Sequence, residues 1–246
     1  VKDISELYEI WCFIKVKNIV SKIVDGLATA NATGQELTTD FIRQLVYGNQ
    51  SEVKFISKPN PQIELASVMY NPQVEDENTN ATSAINGTVT YTTVQRPDIV
   101  LRLSKANDKI KYTYLFDAKY RIADSRIDGL EVPPVDAINQ MHRYRDAIYY
   151  ETDIDMPKRE IIGGYVLYPG NMHNVQLEGS YYQKSIDKIG IGAFPLKPTA
   201  PLVDSQGHLL VDPNSSENLL HDKIKEWLTD TDARTTLLRN ARPQHG

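Results

Sequence analysis

Apolar and polar residues alternate with two different periods along this chain, and the changes of period mark its predicted elements. Apolar residues recur every three to four positions from Ile4 to Ile14. This spacing predicts an amphipathic helix that starts with the capping box of Asp3 and Glu6 and ends at Gly26. Further helices are predicted from Thr39 or Asp40, from Pro134, and over 218–227. Strands are predicted at 53–56, 62–70, 88–94, 99–101, 112–116 and 161–168, with strand fragments and loops over 181–201.

Charged residues stand at the ends of two of these predicted strands. The segment from Arg96 to Lys119 predicts a β-hairpin in which residues 105–109 form a polar turn. Asp117 and Lys119 are two residues apart and so share one face of the second strand, and antiparallel pairing brings Asp98 close to Asp117. Two carboxylates beside an ammonium suit Mg²⁺ and a phosphodiester. The hairpin therefore predicts a metal-binding site on an exposed face at the strand ends.

Composition is that of a soluble globular chain with one full core. It has 246 residues with 41% hydrophobic content, no apolar run long enough to span a membrane and no secretion signal, so we expect a cytoplasmic protein that does not act at a membrane. The single cysteine, Cys12, falls in the apolar part of the first helix and is expected to be a buried thiol. Because the chain begins at Val1 and its first methionine is Met69, we expect it to be the carboxy-terminal part of a longer protein.

The net charge of −5 argues against a broad nucleic-acid-binding surface, since affinity for DNA comes largely from Lys and Arg side chains that neutralise phosphates. Basic residues nevertheless cluster after the second hairpin strand and on the next predicted helix. They are Lys119, Arg121, Arg126, Arg143 and Arg145. These side chains could form a basic rim around an acidic metal site, or they could be ordinary solvated charges.

The order Pro97-Asp98 followed by Asp117-Ala118-Lys119 resembles the active-site motif of the PD-(D/E)XK nuclease superfamily. This resemblance implies an α/β fold with a restriction-endonuclease-like core, in which a mixed central sheet is flanked by helices. It also implies that Asp98 and Asp117 bind Mg²⁺, for which Mn²⁺ can substitute, together with a backbone carbonyl near Ala118. Lys119 would then assist the attacking water. The implied activity is metal-dependent hydrolysis of DNA.

Two further segments narrow the resemblance. Gln140 and Tyr144, one helical turn apart, form a Gln-x-x-x-Tyr pattern that resembles the helix after the core strands in RecB-type members. Taken together with the active-site motif and the segment from Leu7 to Phe13, this pattern is similar to the McrC-like nuclease proteins. Those proteins accompany McrB-like GTPases in modification-dependent restriction. This similarity implies an endonuclease of a restriction or defence system, with DNA and an AAA+ GTPase or ATPase subunit as partners. The resemblance covers most of residues 1–170.

The resemblance and the helix pattern also suggest supporting site residues. Many superfamily members carry an acidic residue on the helix before the core strands, so Glu9 is predicted as a third metal ligand; a glutamate rotated to the surface is the alternative. Gln140 could hydrogen-bond the water or a substrate phosphate. Arg121, Arg143 and Tyr144 are expected to contact nucleic acid, although the ring of Tyr144 also fits the apolar stripe of its helix and could belong to the core.

One domain is expected over 1–246, with a nuclease core up to about residue 170 and a carboxy-terminal extension over 171–246. Two other functions stay open. A RecB-type repair exonuclease would share the motif, but the sequence has no four-cysteine iron–sulfur set. A catalytically silent scaffold that binds nucleic acid or a partner would not need an intact set of catalytic residues. No Gly-x-x-x-x-Gly-Lys loop occurs, so nucleotide hydrolysis is expected from a separate subunit.

Overall fold

Strands and helices alternate through the part of the chain that the computed structural model describes. The described residues are 3–26, 32–34, 38–57, 64–104, 111–124, 126, 131–151, 158–171, 181–200, 202–208, 210, 212 and 215–229. The helices in this part are α1 (Ile4–Gly26), α2 (Thr39–Val46), α3 (Val135–Ala147), α4 (Tyr181–Ile189) and α5 (Glu217–Thr229). The strands are β1 (Ala32–Gly34), β2 (Ser51–Ser57), β3 (Glu64–Tyr70), β4 (Thr88–Thr90), β5 (Ile99–Ser104), β6 (Lys111–Ala118), β7 (Ile148–Tyr150), β8 (Lys158–Arg159), β9 (Ile161–Tyr168) and β10 (Ile191–Pro195). None of the described helices combines the length and apolarity needed to cross a membrane.

The main sheet is mixed and, within the described residues, has seven strands in the order β1-β2-β3-β5-β6-β9-β10. Neighbours from β1 to β6 pair antiparallel, whereas β6, β9 and β10 run parallel. A second, antiparallel sheet is formed by β4, β7 and β8. Apolar side chains from helices pack on both faces of the main sheet. The predicted α/β class, a mixed central sheet flanked by helices, is therefore confirmed.

Helix α1 covers one face of the main sheet. Its first turn is capped as predicted, because the Asp3 side chain accepts a hydrogen bond from the N–H of Glu6 at 2.9 Å. Apolar residues at helical spacing then face the sheet, among them Phe13 and Val16, which are fully buried. Helices α2, α4 and α5 contribute to the same cluster. Cys12 lies inside this cluster as a buried free thiol, as the sequence predicted.

Helix α3 covers the opposite face through Ala137, Met141 and Tyr144. It approaches β9 closely because Gly164 has no side chain; a Cβ atom there would lie 3.2 Å from the Cβ of Met141, tighter than most real contacts. The glycine thus sets the depth at which α3 packs. It also sets the position of Tyr144, which follows Met141 by nearly one turn of the helix.

The predicted hairpin is formed by β5 and β6, which pair antiparallel with Ile99 opposite Phe116. This register places Asp98, which immediately precedes β5, beside Asp117, the second-last residue of β6. The hairpin prediction is therefore confirmed, while its predicted turn at 105–109 lies outside the described residues.

Three local predictions differ from the structure. The strand predicted over 88–94 ends at Thr90, because its partner strand β7 begins only at Ile148, directly after α3, and offers no partner to the residues beyond Thr90. Tyr181 and Tyr182, where a strand fragment was expected, begin helix α4, since the parallel neighbours β9 and β10 need a crossover connection. Helix α2 is capped one residue earlier than predicted, by the side-chain oxygen of Thr38.

Trp227 attaches helix α5 to the main sheet. Its ring stacks on Tyr114 of β6 with a centroid distance of 4.2 Å, and on Tyr165 of β9 at 5.1 Å. Ile224, one turn earlier, is fully buried in the same cluster. Elements beyond residue 170 thus contribute to the core, while the proposed boundary near that residue stays a prediction.

Trp227→Ala is expected to lower the free energy of unfolding by about 3 kcal/mol, because it removes a large ring stacked on two tyrosines. Urea unfolding followed by circular dichroism measures this change. Tyr47→Ala is the control: Tyr47 is 74% exposed, so its removal should change stability by less than about 0.5 kcal/mol. A Trp227 variant as stable as the unmodified chain would show that α5 does not support the core.

Candidate active site

The ends of β5 and β6 bring two carboxylates and one ammonium together. Lys119 Nζ lies 2.6 Å from Asp117 Oδ2 and 3.9 Å from Asp98 Oδ2. The N–H of Ala118 donates a hydrogen bond to Asp98 Oδ2 at 2.8 Å, and the N–H of Lys119 donates to the carbonyl of Leu167 at 2.9 Å. The second of these bonds continues the pairing of β6 with β9 past the end of β6. The predicted proximity of the two aspartates is therefore confirmed.

The acids are buried more deeply than the sequence indicates. The side chain of Asp117 is 2% exposed and that of Asp98 is 15% exposed, whereas Lys119 is 30% exposed. Asp117 lies on the same face of β6 as Leu115, which belongs to the core beneath α3. Apart from the contact with Lys119, Asp117 Oδ2 meets no hydrogen-bond donor among the described residues. The prediction of an exposed face is therefore wrong, because α3 covers that face and leaves the lysine as the accessible group.

Burial disfavours the charged forms of both acids. Burial raises the pKa of Asp98 well above its usual range, and the charge of Asp117 raises it further, while Lys119 lowers it. Burial also raises the pKa of Asp117 against the lowering influence of Lys119. Burial acts to lower the pKa of Lys119, but the charges of the two aspartates outweigh it and raise that pKa overall. One ammonium group thus faces two carboxyl groups whose charged forms are disfavoured.

Glu9 approaches this pair from helix α1. Its side chain is half-buried; burial raises the pKa of Glu9, the charge of Lys119 lowers it and the charge of Asp117 raises it. Burial, followed by the charges of Glu9 and Asp98, raises the pKa of Tyr70 to about 12. Glu9 therefore shares the electrostatic environment of the two aspartates. Its role as a third metal ligand stays a prediction.

Gln140 and Tyr144 lie one turn apart on α3 and have different partners. Tyr144 is buried, and its hydroxyl donates a hydrogen bond to the carbonyl of Arg96 at 2.7 Å, so it holds the segment that leads into β5. Burial raises the pKa of Tyr144, and the charges of the two aspartates raise it further. Gln140 is half-buried and accepts a hydrogen bond from Arg143. The burial of Tyr144 agrees with the core alternative, and its direct contact with nucleic acid stays a prediction.

The basic residues near the site are partly balanced by acids. Arg121 pairs with Asp136 in the first turn of α3, and Arg126 Nη2 lies 3.5 Å from Glu131. Arg143 is exposed on α3. The basic rim thus carries less uncompensated charge than the sequence indicates, and the contacts of Arg121 and Arg143 with nucleic acid stay predictions.

Asn71 is a site residue that the sequence reasoning missed. It follows β3 in the left-handed conformation, with φ of 47°, which asparagine tolerates better than most residues. Its N–H donates a hydrogen bond to the carbonyl of Asp98 at 2.8 Å. This bond fixes the backbone of Asp98 from the side of β3. The dipeptide Asn71-Pro72 is the signal that could have drawn attention to the bend.

The donor set fits a divalent cation. No group of three or more His, Cys, Asp or Glu side chains within the described residues has the arrangement of a preformed metal site. Mg²⁺, however, is usually bound through one or two carboxylates and several waters, which Asp98 and Asp117 can satisfy. Apart from Lys119, the buried Oδ2 atom of Asp117 meets no hydrogen-bond donor among the described residues, and the site holds two carboxyl groups for one lysine. Both features suit a cation in addition to Lys119.

Comparison with known proteins adds a family to this geometry. The family model described as the PD-(D/E)XK nuclease superfamily matches residues 6–173, which is more than half of the chain. The matched range contains Glu9, the β5–β6 hairpin and helix α3. Members of this superfamily generally use divalent metals. No curated protein and no solved structure matches the chain.

Asp117→Asn is expected to stabilise the metal-free protein by about 1 kcal/mol near pH 7.5, because it removes one of two buried negative charges and keeps the side-chain shape. A carboxyl whose pKa is raised by folding destabilises the fold above its unfolded pKa. The gain should therefore shrink as the pH falls through the folded pKa of Asp117, where the unmodified chain takes up the proton.

Thermal unfolding in EDTA near pH 7.5 and near pH 4.5 measures this effect. Asp25→Asn is the matched control, since Asp25 is exposed near the end of α1 and its replacement should leave stability unchanged. A variant at Asp117 that is less stable than the unmodified chain at neutral pH would contradict the charge argument.

Proposed function

Because this chain belongs to the PD-(D/E)XK nuclease superfamily, we propose that it is a metal-dependent deoxyribonuclease that hydrolyses phosphodiester bonds within DNA. One observation carries this proposal: Lys119 Nζ lies within 3.9 Å of the carboxylates of both Asp98 and Asp117 at the ends of paired strands. Two carboxylates can bind a divalent cation, and a lysine beside them can stabilise negative charge on a phosphate.

The chain's own residues divide the catalytic tasks. Asp98, Asp117 and the carbonyl of Ala118 would hold Mg²⁺, or Mn²⁺ in its place, with Glu9 as a further acid from α1. When bound, the ion supplies Lewis-acid chemistry that polarises the phosphate and lowers the pKa of the attacking water. Lys119 is placed to orient that water, or to stabilise the negative charge that develops on the phosphate.

Residues on and before α3 would meet the DNA. We assign Arg121 and Arg143 to phosphate contacts, and Gln140 to the water or a substrate phosphate. The hydroxyl of Tyr144 is already bonded to the carbonyl of Arg96, which favours a contribution of Tyr144 through the segment that carries Asp98. With a net charge of −5, the chain can neutralise few phosphates by itself.

We further propose that the chain is the McrC-like cleavage component of a cytoplasmic restriction or defence system, coupled to a McrB-like AAA+ GTPase or ATPase. Glu9 lies in the segment from Leu7 to Phe13, which carries part of that resemblance. The charges of Lys119 and Asp117 both act on the pKa of Glu9. The acidic net charge and the lack of a nucleotide-binding loop in this sequence support delivery of DNA by a separate motor subunit.

Asp98→Ala, Asp117→Ala and Lys119→Ala are each expected to reduce Mg²⁺-dependent nicking of closed circular plasmid by at least about 100-fold, because each removes a metal ligand or the ammonium that stabilises developing charge. A closed circle has no ends, so nicking also separates an endonuclease from a RecB-type exonuclease. Excess EDTA should abolish the activity of the unmodified chain, and Mn²⁺ should support it.

Asp25→Ala and Lys22→Ala are the matched controls for this experiment, since both side chains are exposed about 20 Å from Glu9 along α1. Both should cleave like the unmodified chain. Mg²⁺ or Mn²⁺ should also raise the thermal midpoint of the unmodified chain but not that of Asp117→Ala, a readout that needs no turnover. Full activity in Asp117→Ala, or cleavage in excess EDTA, would end the metal-nuclease proposal.

The isolated chain is expected to cleave slowly, and adding a GTPase or ATPase partner with nucleotide should raise the rate at least about tenfold, because tethering raises the local concentration of DNA. Plasmid nicking with and without nucleotide measures this gain. The same assembly carrying Lys119→Ala should stay inactive, which assigns the cleavage to this chain. An isolated chain as fast and selective as the assembly would count against the coupling.

A further inference from the structure

An open groove of about 680 Å³ runs along α3, outside the buried carboxylates. One wall is the segment from Tyr91 to Gln95, which follows β4. The other wall is formed by Gln140 and Arg143 of α3 and by Tyr149 of β7. None of the catalytic roles proposed above involves Tyr91 or Tyr149.

The groove adjoins the catalytic pair through both of its walls. The segment that ends at Gln95 continues directly into Arg96 and then Asp98. On the other wall, Gln140 and Arg143 flank Tyr144, whose hydroxyl holds the Arg96 carbonyl at 2.7 Å. From Gln140 to the end of α3 the helix rises by about 10 Å, which equals about three stacked nucleotides. A strand with one phosphate at the aspartates would therefore place neighbouring bases along the groove.

Tyr91 and Tyr149 form an aromatic platform at this groove. Val89 pairs with Tyr149 across the small sheet, and Tyr91 directly follows the end of β4. The two rings lie 5.6 Å apart with an interplanar angle of 59°, which lets Tyr149 support Tyr91. Tyr91 nevertheless stays 41% exposed, so its ring retains free area for another flat group.

The charges around the groove favour stacking over phosphate binding. Arg143 contributes one positive charge, while the negative charge of Asp146 is offset by Arg159 Nη1 at 3.2 Å. The affinity of a protein for duplex DNA depends on many phosphate contacts, and the walls of this groove do not offer many such contacts. Unpaired bases instead bind through their flat faces to exposed aromatic rings, with little dependence on sequence.

We propose that this groove binds an unpaired base of the DNA strand that is being cut, stacked on Tyr91 with Tyr149 behind it and with Arg143 near the adjoining phosphate. The proposal rests on the nuclease function and specifies its substrate as single-stranded or locally unwound DNA. A motor subunit that separates strands would produce such a segment, whereas intact duplex would leave the groove empty.

Fluorescence anisotropy in EDTA tests the proposal without cleavage. The probes are a labelled single-stranded 12-mer of DNA, the same sequence as RNA, and the matching duplex. Tyr91→Ala should weaken binding of the single-stranded DNA roughly 5- to 150-fold and leave the duplex within about twofold, whereas Tyr91→Phe should bind like the unmodified chain. Tyr47→Ala, which removes a tyrosine that is 74% exposed elsewhere, is the control and should have no effect. Unchanged thermal midpoints confirm that the variants fold.

A 2-aminopurine base within the single strand gives a second readout, since its fluorescence falls when it stacks. Quenching that is present with the unmodified chain and with Tyr91→Phe but lost in Tyr91→Ala supports the platform. Equal losses for single strand and duplex, preference for the RNA strand, no effect of Tyr91→Ala, or no binding of any probe would each overturn it. If the unmodified chain quenches 2-aminopurine but does not cleave DNA, the nuclease proposal alone is overturned. If the unmodified chain nicks plasmid but Tyr91→Ala changes neither binding nor quenching, the groove proposal alone is overturned.

Discussion

The site depends on one ion-pair arrangement, in which a single lysine ammonium stands beside two buried carboxylates. Removing Asp98 and Asp117 from water is unfavourable, and Lys119, at 2.6 Å from one and 3.9 Å from the other, offsets only part of that cost. The N–H of Ala118 adds a hydrogen bond to Asp98. These contacts exist in one register of β5 and β6 alone, because a shift by one residue would turn Asp117 to the face that α1 covers. Apolar packing on both faces of β6 enforces that register.

Two elements hold the segment that carries Asp98 in place. Asn71, after β3, binds the carbonyl of Asp98, and Tyr144, on α3, binds the carbonyl of the nearby Arg96. Helix α1 adds Glu9, whose pKa responds to the charges of Lys119 and Asp117. Because each support comes from a packed helix or the end of a sheet strand, the acids are positioned before any ligand arrives. A change at Gly164 would disturb this arrangement indirectly, since that glycine sets the depth at which α3 packs.

Local patterns predicted the features that depend on local physics. Alternation predicted the hairpin, and helical spacing with the Asp3 cap predicted α1. Local patterns could not predict features that depend on distant parts of the chain. Strand β4 stops at Thr90 because its partner β7 begins at Ile148. Asp117 is buried because α3 can pack closely onto Gly164. Asn71 was missed because a turn dipeptide indicates a bend but not which carbonyl its N–H will meet. The sequence therefore predicted that the two acids and the lysine lie together, but not that the acids are buried.

Lys119 is the most accessible of the three charged groups at the strand ends. Its side chain is 30% exposed, whereas that of Asp117 is 2% exposed. A lysine stem is flexible and its ammonium is readily hydrated, so Nζ can move toward solvent once another cation satisfies the buried oxygen of Asp117. Lys119 is then available to the water or the phosphate. An arginine held in a fixed two-point contact would satisfy the acids equally well but would be harder to displace. The residue that offsets part of the cost of burying the two acids is thus also the one that can move away from them.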